Sequence, residues 1–288
     1  MKITSRQAIH DGWSTDKKYY VTDELGQAYI LRIADIEKLD KKRQEFQLMQ
    51  KIADLAVPMC RPIKFGLCPE GVYTIHSWID GSKAERFIPQ LCPNKQYDYG
   101  LQAGRILRQI HSVGVGGQGE DWSLRFNRKI DKKIANYDAC PIKFQKGDLF
   151  LDYIQANRYL LDARPQTFQH GDYHIGNMMV DRKGNLHIID FDRSDFGDPW
   201  EEFNRIVWSV QGSAYFATGL VDGYFDNIVS DDFWKLLALY ISNNMLSSLT
   251  WALPYGEDQI KIMLRQAEDV LTWYQDMRHL IPTWYQQP

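Results

Sequence analysis

The sequence predicts an α+β chain in two parts: a small N-terminal antiparallel sheet with one helix over residues 1–79, and a larger, mostly helical part over 80–288. Two observations predict this. Strand-like segments rich in β-branched and aromatic residues, at 19–21, 29–33 and 72–78, are separated by Gly and Asp turns, with a single helical stretch between the second and third. After Asp80-Gly81 the character changes, and long segments with helical spacing and internal tryptophan and tyrosine follow.

Taken in order, residues 6–10 and 18–21 read as strands flanking the loop Asp11-Gly12-Trp13-Ser14-Thr15-Asp16-Lys17. Residues 36–55 read as the helix, because Ile36, Leu39, Phe46, Met49 and Ile52 recur near the helical period. In the second part, helices are expected at about 97–112, 148–161, 200–215, 231–252 and 258–280. Only 169–192 interrupts them. There Met178-Met179-Val180 and the apolar run 186–189 flank Arg182-Lys183-Gly184-Asn185, a hairpin signature. No internal repeat, low-complexity tract or Pro-rich linker occurs.

Composition narrows the function classes. With 44% hydrophobic and 25% charged residues, the 288-residue chain has ordinary globular proportions. No apolar run approaches the roughly 18 residues of a membrane span, and the N-terminal stretch has no apolar signal region, so a cytoplasmic protein without a membrane partner is expected. Cys60, Cys68, Cys92 and Cys140 form neither a C-x-x-C pair nor a disulfide framework and are read as reduced packing residues. A net charge of −3 argues against nucleic-acid binding, and no obligate protein partner is evident. From Asp190 onward, however, 15 acidic residues face six basic ones, an imbalance suited to concentrating cationic substrates.

The chemistry concentrates at His170-Gly171-Asp172-Tyr173-His174-Ile175-Gly176-Asn177 and at Ile189-Asp190-Phe191-Asp192. Asp172 and Asn177 stand five apart on a loop entering an apolar strand, and Asp190 ends the second strand of the hairpin. Phosphoryl transfer asks little covalent chemistry of a protein: a base for the hydroxyl proton, and oxygen ligands that hold Mg²⁺ on the phosphates. Asp172, Asn177 and Asp190 supply those groups. A metal-dependent hydrolase is the rival reading of His170, Asp172, His174, His187 and Asp190, but it leaves Asn177 and the N-terminal part unexplained. A protein kinase is disfavoured because no Ala-Pro-Glu anchor follows Asp190.

At these residues the chain resembles the aminoglycoside phosphotransferase and choline kinase superfamily, through its His-Gly-Asp-x-x-x-x-Asn loop and following Ile-Asp-Phe. The Asp-Pro step at Asp198-Pro199 extends the likeness. The resemblance implies a bilobal, protein-kinase-like fold and a kinase moving the γ-phosphoryl of ATP or GTP onto a hydroxylated small molecule. It makes Asp172 the catalytic base and Asn177 and Asp190 the Mg²⁺ ligands. The acceptor expected from it is an aminoglycoside-like cationic natural product, with antibiotic resistance as the attendant role; choline or ethanolamine, homoserine and sugars are the alternatives. His174, Asp192, Asp195, Glu201 and Glu202 are candidate substrate contacts.

The nucleotide side departs from the family pattern. Where the family places a strand lysine on the phosphates, fixed by a helix glutamate, this chain has Arg32, with Glu45 as its expected partner. The phosphate loop has one glycine, leaving Ser14 and Thr15 as phosphate caps. A nucleotide-binding pseudokinase is the non-enzymatic alternative these departures raise. The hinge that pairs with the base is expected near His76 and Trp78.

Overall fold

The computed structural model describes residues 1–10, 15–114 and 119–288. In chain order the strands are β1 (Ile3–Ile9), β2 (Lys17–Asp23), β3 (Ala28–Ala34), β4 (Pro62–Cys68), β5 (Gly71–Ser77), β6 (Gly81–Lys83), β7 (Thr167–Gln169), β8 (Met178–Asp181), β9 (Leu186–Ile188) and β10 (Asp195–Gly197). The α-helices are α1 (Leu39–Asp54), α2 (Ala84–Phe87), α3 (Pro93–Ile110), α4 (Trp122–Ala139), α5 (Gly147–Asn157), α6 (Ile206–Gly212), α7 (Ala214–Phe225), α8 (Asp231–Ala252) and α9 (Glu257–Trp273).

Contacts divide the chain into two compact units. The first joins Met1–Ala84 to Asn177–Ser194. Its antiparallel sheet runs in the order β1-β2-β3-β5-β4, with Arg32 opposite Lys18 on one side and Thr74 on the other. The inner face of α1 buries Phe46, Met49 and Ile52, spaced at the helical period, together with one charged residue, Lys42. Phe46 meets the rings of Phe65 and His76 at centroid distances of 5.8 and 6.2 Å. The β8–β9 hairpin belongs to this unit because β6 pairs with β8, the Cys60 amide donates to Ile188 O (3.1 Å) and the Ile188 amide donates to Pro58 O (2.9 Å). A division at residue 79 would leave β6 with the hairpin but part the hairpin from Pro58 and Cys60, to which Ile188 bonds.

The second unit comprises Glu85–Gly176 and Asp195–Pro288. Helix α8 is its axis: Trp234, Leu237, Tyr240, Ile241 and Leu249 are all buried, and Ser230 caps the first turn by accepting the Phe233 amide (3.3 Å). Helices α3 and α7 lie close enough for backbone contact. A Cβ added at Gly100, Gly104, Gly219 or Gly223 would strike the carbonyl oxygen of Phe216, Leu220, Tyr97 or Leu101 respectively. Each helix carries its two glycines four residues apart, on one face.

Several elements differ from the sequence expectation. The helix predicted over 200–215 is a 3₁₀ turn (Glu201–Arg205), then α6 and α7, parted by Ser213, whose extended backbone (φ −164°) lets its hydroxyl cap α7 by accepting the Phe216 amide (3.0 Å). The final helix stops at Trp273 rather than near residue 280, because Gln275, Asp276 and Met277 turn left-handed (φ 47°, 56° and 61°). Strands β4, β6, β7 and β10 and helices α2 and α4 were not anticipated.

Candidate active site

Strand β7 delivers the chain into the loop His170–Gly176, and buried side chains of the second unit hold that loop by its backbone. Gly171 has φ 83°, a left-handed conformation that glycine adopts without strain. Its amide donates to both carboxylate oxygens of Glu202, at 2.9 and 3.1 Å, and the Tyr173 amide reaches Glu202 Oε1 at 3.3 Å. The Asp172 amide donates to His170 Nδ1 (3.2 Å), and His170 is fully buried with its ring edge against Tyr173. Further along, the Ile175 amide donates to Ser209 Oγ (3.1 Å), and the Gly176 amide donates to His174 Nδ1 (3.1 Å). His111, buried with Nδ1 2.9 Å from the Tyr224 hydroxyl, lies with Nε2 3.7 Å from Glu202 Oε2. Three consecutive amides are thereby committed to Glu202 and His170, which fixes the loop by its backbone.

That carboxylate is half-buried and faces two cationic or potentially cationic groups. Arg205 Nε lies 3.3 Å, and His174 Nε2 3.8 Å, from Asp172 Oδ1. His174 also packs near Trp208, with ring centroids 6.4 Å apart.

The other substrate candidates of this unit have partners of their own. Glu202 is 1% exposed and serves the loop. Glu201 accepts from Lys129 Nζ and from Gln169 Nε2, both at 3.2 Å. Burial acts to raise its carboxyl, but Lys129, Lys133 and Arg205 together hold it below the usual range. Asp195 is exposed, with Arg125 Nη2 3.9 Å away.

In the first unit the hairpin gathers the remaining acids. The Ile189 amide donates to Asn177 O (3.0 Å), which ties the start of β8 to the end of β9. Asp190 follows with φ 68°, a left-handed backbone uncommon outside glycine and a form of local strain that collects at functional positions. Arg32 Nη1 lies 3.4 Å from Asp190 Oδ1, and Nη2 bonds Asp192 Oδ2. Burial acts to lower the Arg32 guanidinium, yet Asp192, Asp190 and Asp16 outweigh it and raise its pKa, so it stays charged.

Among the described residues the ion-pair partners of Glu45 are lysines rather than the Arg32 expected from the sequence. Glu45 Oε2 takes Lys42 Nζ at 3.1 Å, and the same ammonium lies 3.0 Å from Asp16 Oδ2 and 3.6 Å from Asp192 Oδ1. Helical spacing accounts for this: Lys42 and Glu45 are i and i+3 on α1, neighbours on one face. Lys42 and Asp16, absent from the sequence reading, are therefore central to a buried charge network. Both look like surface charges in the sequence; only the position of Lys42 four residues before Phe46, on the apolar stripe, marks it.

Thr15 Oγ1 accepts from Lys38 Nζ (2.8 Å), while Ser14 lies outside the described residues. The His76 side chain points into the core against Phe46, and burial pushes its pKa down to about 3, so it is a neutral packing group. Trp78 is 37% exposed and stands edge-on to Tyr20.

Asn177 and Asp190 fit a hard divalent cation. Both carry oxygen donors, the hairpin brings them into one unit, and two protein ligands suit an ion that keeps water and phosphate oxygens. Among the described residues, no group of three or more His, Cys, Asp or Glu side chains forms a self-sufficient cage.

Comparison with known proteins places this architecture. The amicoumacin kinase, in complex with AMP-PNP, Ca²⁺ and Ami, superposes with a TM-score of 0.67 at 14% identity, covering 96% of this chain and 90% of that one. A GDP complex of an aminoglycoside 2′-phosphotransferase-IIIa mutant gives 0.68 at 16% identity, covering 94% and 92%. A choline/ethanolamine kinase family protein from Mesorhizobium loti gives 0.66 at 16% identity, covering 96% and 91%. No curated protein sequence matches the chain. The model of the phosphotransferase enzyme family matches residues 5–234. With that match across most of its length and the kinase-like fold of those structures, the chain belongs to the phosphotransferase enzyme family, whose acceptor is a hydroxyl group.

Proposed function

We propose that the protein is a small-molecule kinase that moves the γ-phosphoryl group of ATP, with GTP as the alternative donor, onto an acceptor hydroxyl, with Asp172 as catalytic base. The observation that carries this reading is the hold on the loop: Glu202 and His170 take the amides of Gly171, Asp172 and Tyr173, which fixes the backbone that presents the Asp172 carboxylate.

In this reading the acceptor oxygen bonds to the γ-phosphorus as its proton passes to Asp172, and the bond to the nucleoside diphosphate breaks. Arg205, with Nε 3.3 Å from Asp172 Oδ1, lies against the carboxylate that takes the proton in this reading. On the nucleotide side, Arg32 and Lys42 are the cations that take the phosphates. Their present partners Asp190, Asp192 and Asp16 are then shared with the incoming charge. Asn177 and Asp190 would hold Mg²⁺, which supplies neutralisation of the phosphate oxygens when bound. Thr15 and the hinge segment around Trp78 complete the nucleotide assignment.

An aminoglycoside-like polycation as acceptor would draw on Asp195, Glu201 and Glu202. Glu202 is committed to the loop and Glu201 to Lys129 and Gln169, which leaves Asp195 as the solvent-facing acid of the three.

The test is steady-state turnover of the Asp172→Asn protein, followed by nucleoside diphosphate release. Turnover is expected to fall by about 100-fold or more, with nucleotide affinity changed only modestly. Unchanged turnover overturns the assignment.

A further inference from the structure

Glu202, the carboxylate that holds the Asp172 loop, is buried without a lysine or arginine. It is 1% exposed, and among the described residues its charge is met by the Gly171 and Tyr173 amides and by one further group, His111. His111 ends α3, is 5% exposed, and lies with Nε2 3.7 Å from Glu202 Oε2. That nitrogen is buried and has no hydrogen-bond partner among the described residues. A buried charge and a buried ring nitrogen each call for a partner, and here the two lie side by side.

Tyr224 decides which way the imidazole faces. Helices α3 and α7 approach closely at Gly104, where an added Cβ would strike the Tyr224 amide nitrogen, and His111 stands seven residues after Gly104, on the same side of the helix. The Tyr224 hydroxyl lies 2.9 Å from His111 Nδ1, and the two rings meet edge-on with centroids 5.5 Å apart. Burial first, then the negative charges of Asp198 and Glu202, push the Tyr224 pKa up, so its hydroxyl keeps the proton it donates. With Nδ1 accepting, the hydrogen of the neutral ring is on Nε2, toward Glu202; the other tautomer would set a lone pair against a carboxylate oxygen. Tyr224 also packs edge-on against Phe203, the neighbour of Glu202, at 5.1 Å.

We propose that His111 is a positioning residue for phosphoryl transfer: steadied by Tyr224, it turns an N–H toward Glu202 and so keeps that carboxylate on the amides that set Asp172. The inference rests on the assignment of Asp172 as base. At 3.7 Å the contact is longer than a hydrogen bond, so His111 acts on Glu202 as a dipole on a charge and leaves its amide bonds intact. The Tyr224 hydroxyl thereby serves the loop at one remove, through the hydrogen bond it gives His111. All of these groups belong to the second unit.

Hydrogen–deuterium exchange of the full chain, read by NMR on the Gly171 and Tyr173 amides, tests this without a substrate. His111→Leu is expected to speed exchange at both amides about 10-fold while the α8 amides keep their rates. His111→Gln, whose side-chain N–H can stand where Nε2 does, is expected to bring both back to within about 3-fold of the wild type, with Tyr224→Phe between the two. In the Glu202→Gln background, His111→Leu is expected to add nothing further, because the residue through which it acts has lost its charge. Wild-type exchange at the loop in the His111→Leu and Tyr224→Phe proteins, equal acceleration throughout the second unit, or effects that add to those of Glu202→Gln each overturn the proposal. Should His111→Leu fail to fold, Tyr224→Phe, which keeps the ring, decides alone. Turnover of the Asp172→Asn protein is measured alongside: its persistence sinks the kinase assignment, whereas wild-type loop exchange in the variants sinks the role of His111 alone.

Discussion

Lys42 Nζ lies 3.0 Å from Asp16 Oδ2, and the Asp16 side chain is only 3% exposed. Burial would raise the Asp16 carboxyl, but Lys42, Arg32 and Lys38 outweigh that and hold its pKa below the usual range. Removing one partner of a buried pair leaves an uncompensated charge, a loss of about 3 kcal/mol or more. Lys42→Met is therefore expected to destabilise the protein by about that amount in urea unfolding. The Lys42→Met/Asp16→Asn double variant should lose less than the sum of the single variants; strict additivity would show that the two are not coupled.

Glu202 is expected to matter for both stability and rate. Replacement by Gln keeps its size but removes the charge that three short contacts to the Gly171 and Tyr173 amides exploit. A stability loss of about 1.5–3 kcal/mol and a fall in kcat larger than any rise in KM are expected. A variant with wild-type kcat would show that Glu202 does not position the loop.

His76 should make the protein acid-sensitive. Unfolded, its imidazole binds a proton below about 6.5; folded, burial delays this to about 3. The unfolded state therefore holds the extra proton across that window, and stability falls as pH drops, by up to about 1.4 kcal/mol per unit. His76→Gln should flatten the pH dependence of unfolding between 6.5 and 4.5. An unchanged slope would assign the acid sensitivity to carboxylates.

At the α3–α7 contact, Gly104→Ala and Gly223→Ala are each expected to cost about 1–3 kcal/mol, because a methyl group meets backbone rather than a movable side chain. Unfolding midpoints check this, with exposed Gly119→Ala, where a Cβ meets nothing within 4 Å, as control.

Much of the fold was legible because strong local patterns coincide with the packing. The stretch 231–252 reads as a helix from its apolar spacing and Asp-rich start, and α8 has those limits. The hairpin was visible through its Gly-Asn turn, and the candidate loop that precedes it through the spacing of Asp172, Asn177 and Asp190. Strand β4 escaped because Pro62 and Gly66 break its β pattern; α4 escaped because its buried stripe of Trp122, Phe126, Ile130 and Tyr137 is diluted by charge on the remaining faces. The substitution of Lys42 for Arg32 as the partner of Glu45, and the approach of His111 to Glu202, depend on which helix face turns inward, which tertiary packing decides.

The pairing of β6 with β8, and of residues 58–60 with Ile188, also carries a consequence for synthesis on the ribosome. Chains fold as they emerge, N-terminal segments first. Here the first unit lacks its last hairpin until residue 194 has left the exit tunnel, by which time all of α3, α4 and α5 is already outside. Helix α3 in turn waits for α7, with its glycine face unmatched meanwhile. The first unit closes only with residue 194 and the second only with the helices after it, so a chain truncated between α5 and β8 is expected to leave both without a closed core and to be drawn to chaperones and proteases rather than to persist as a folded N-terminal fragment.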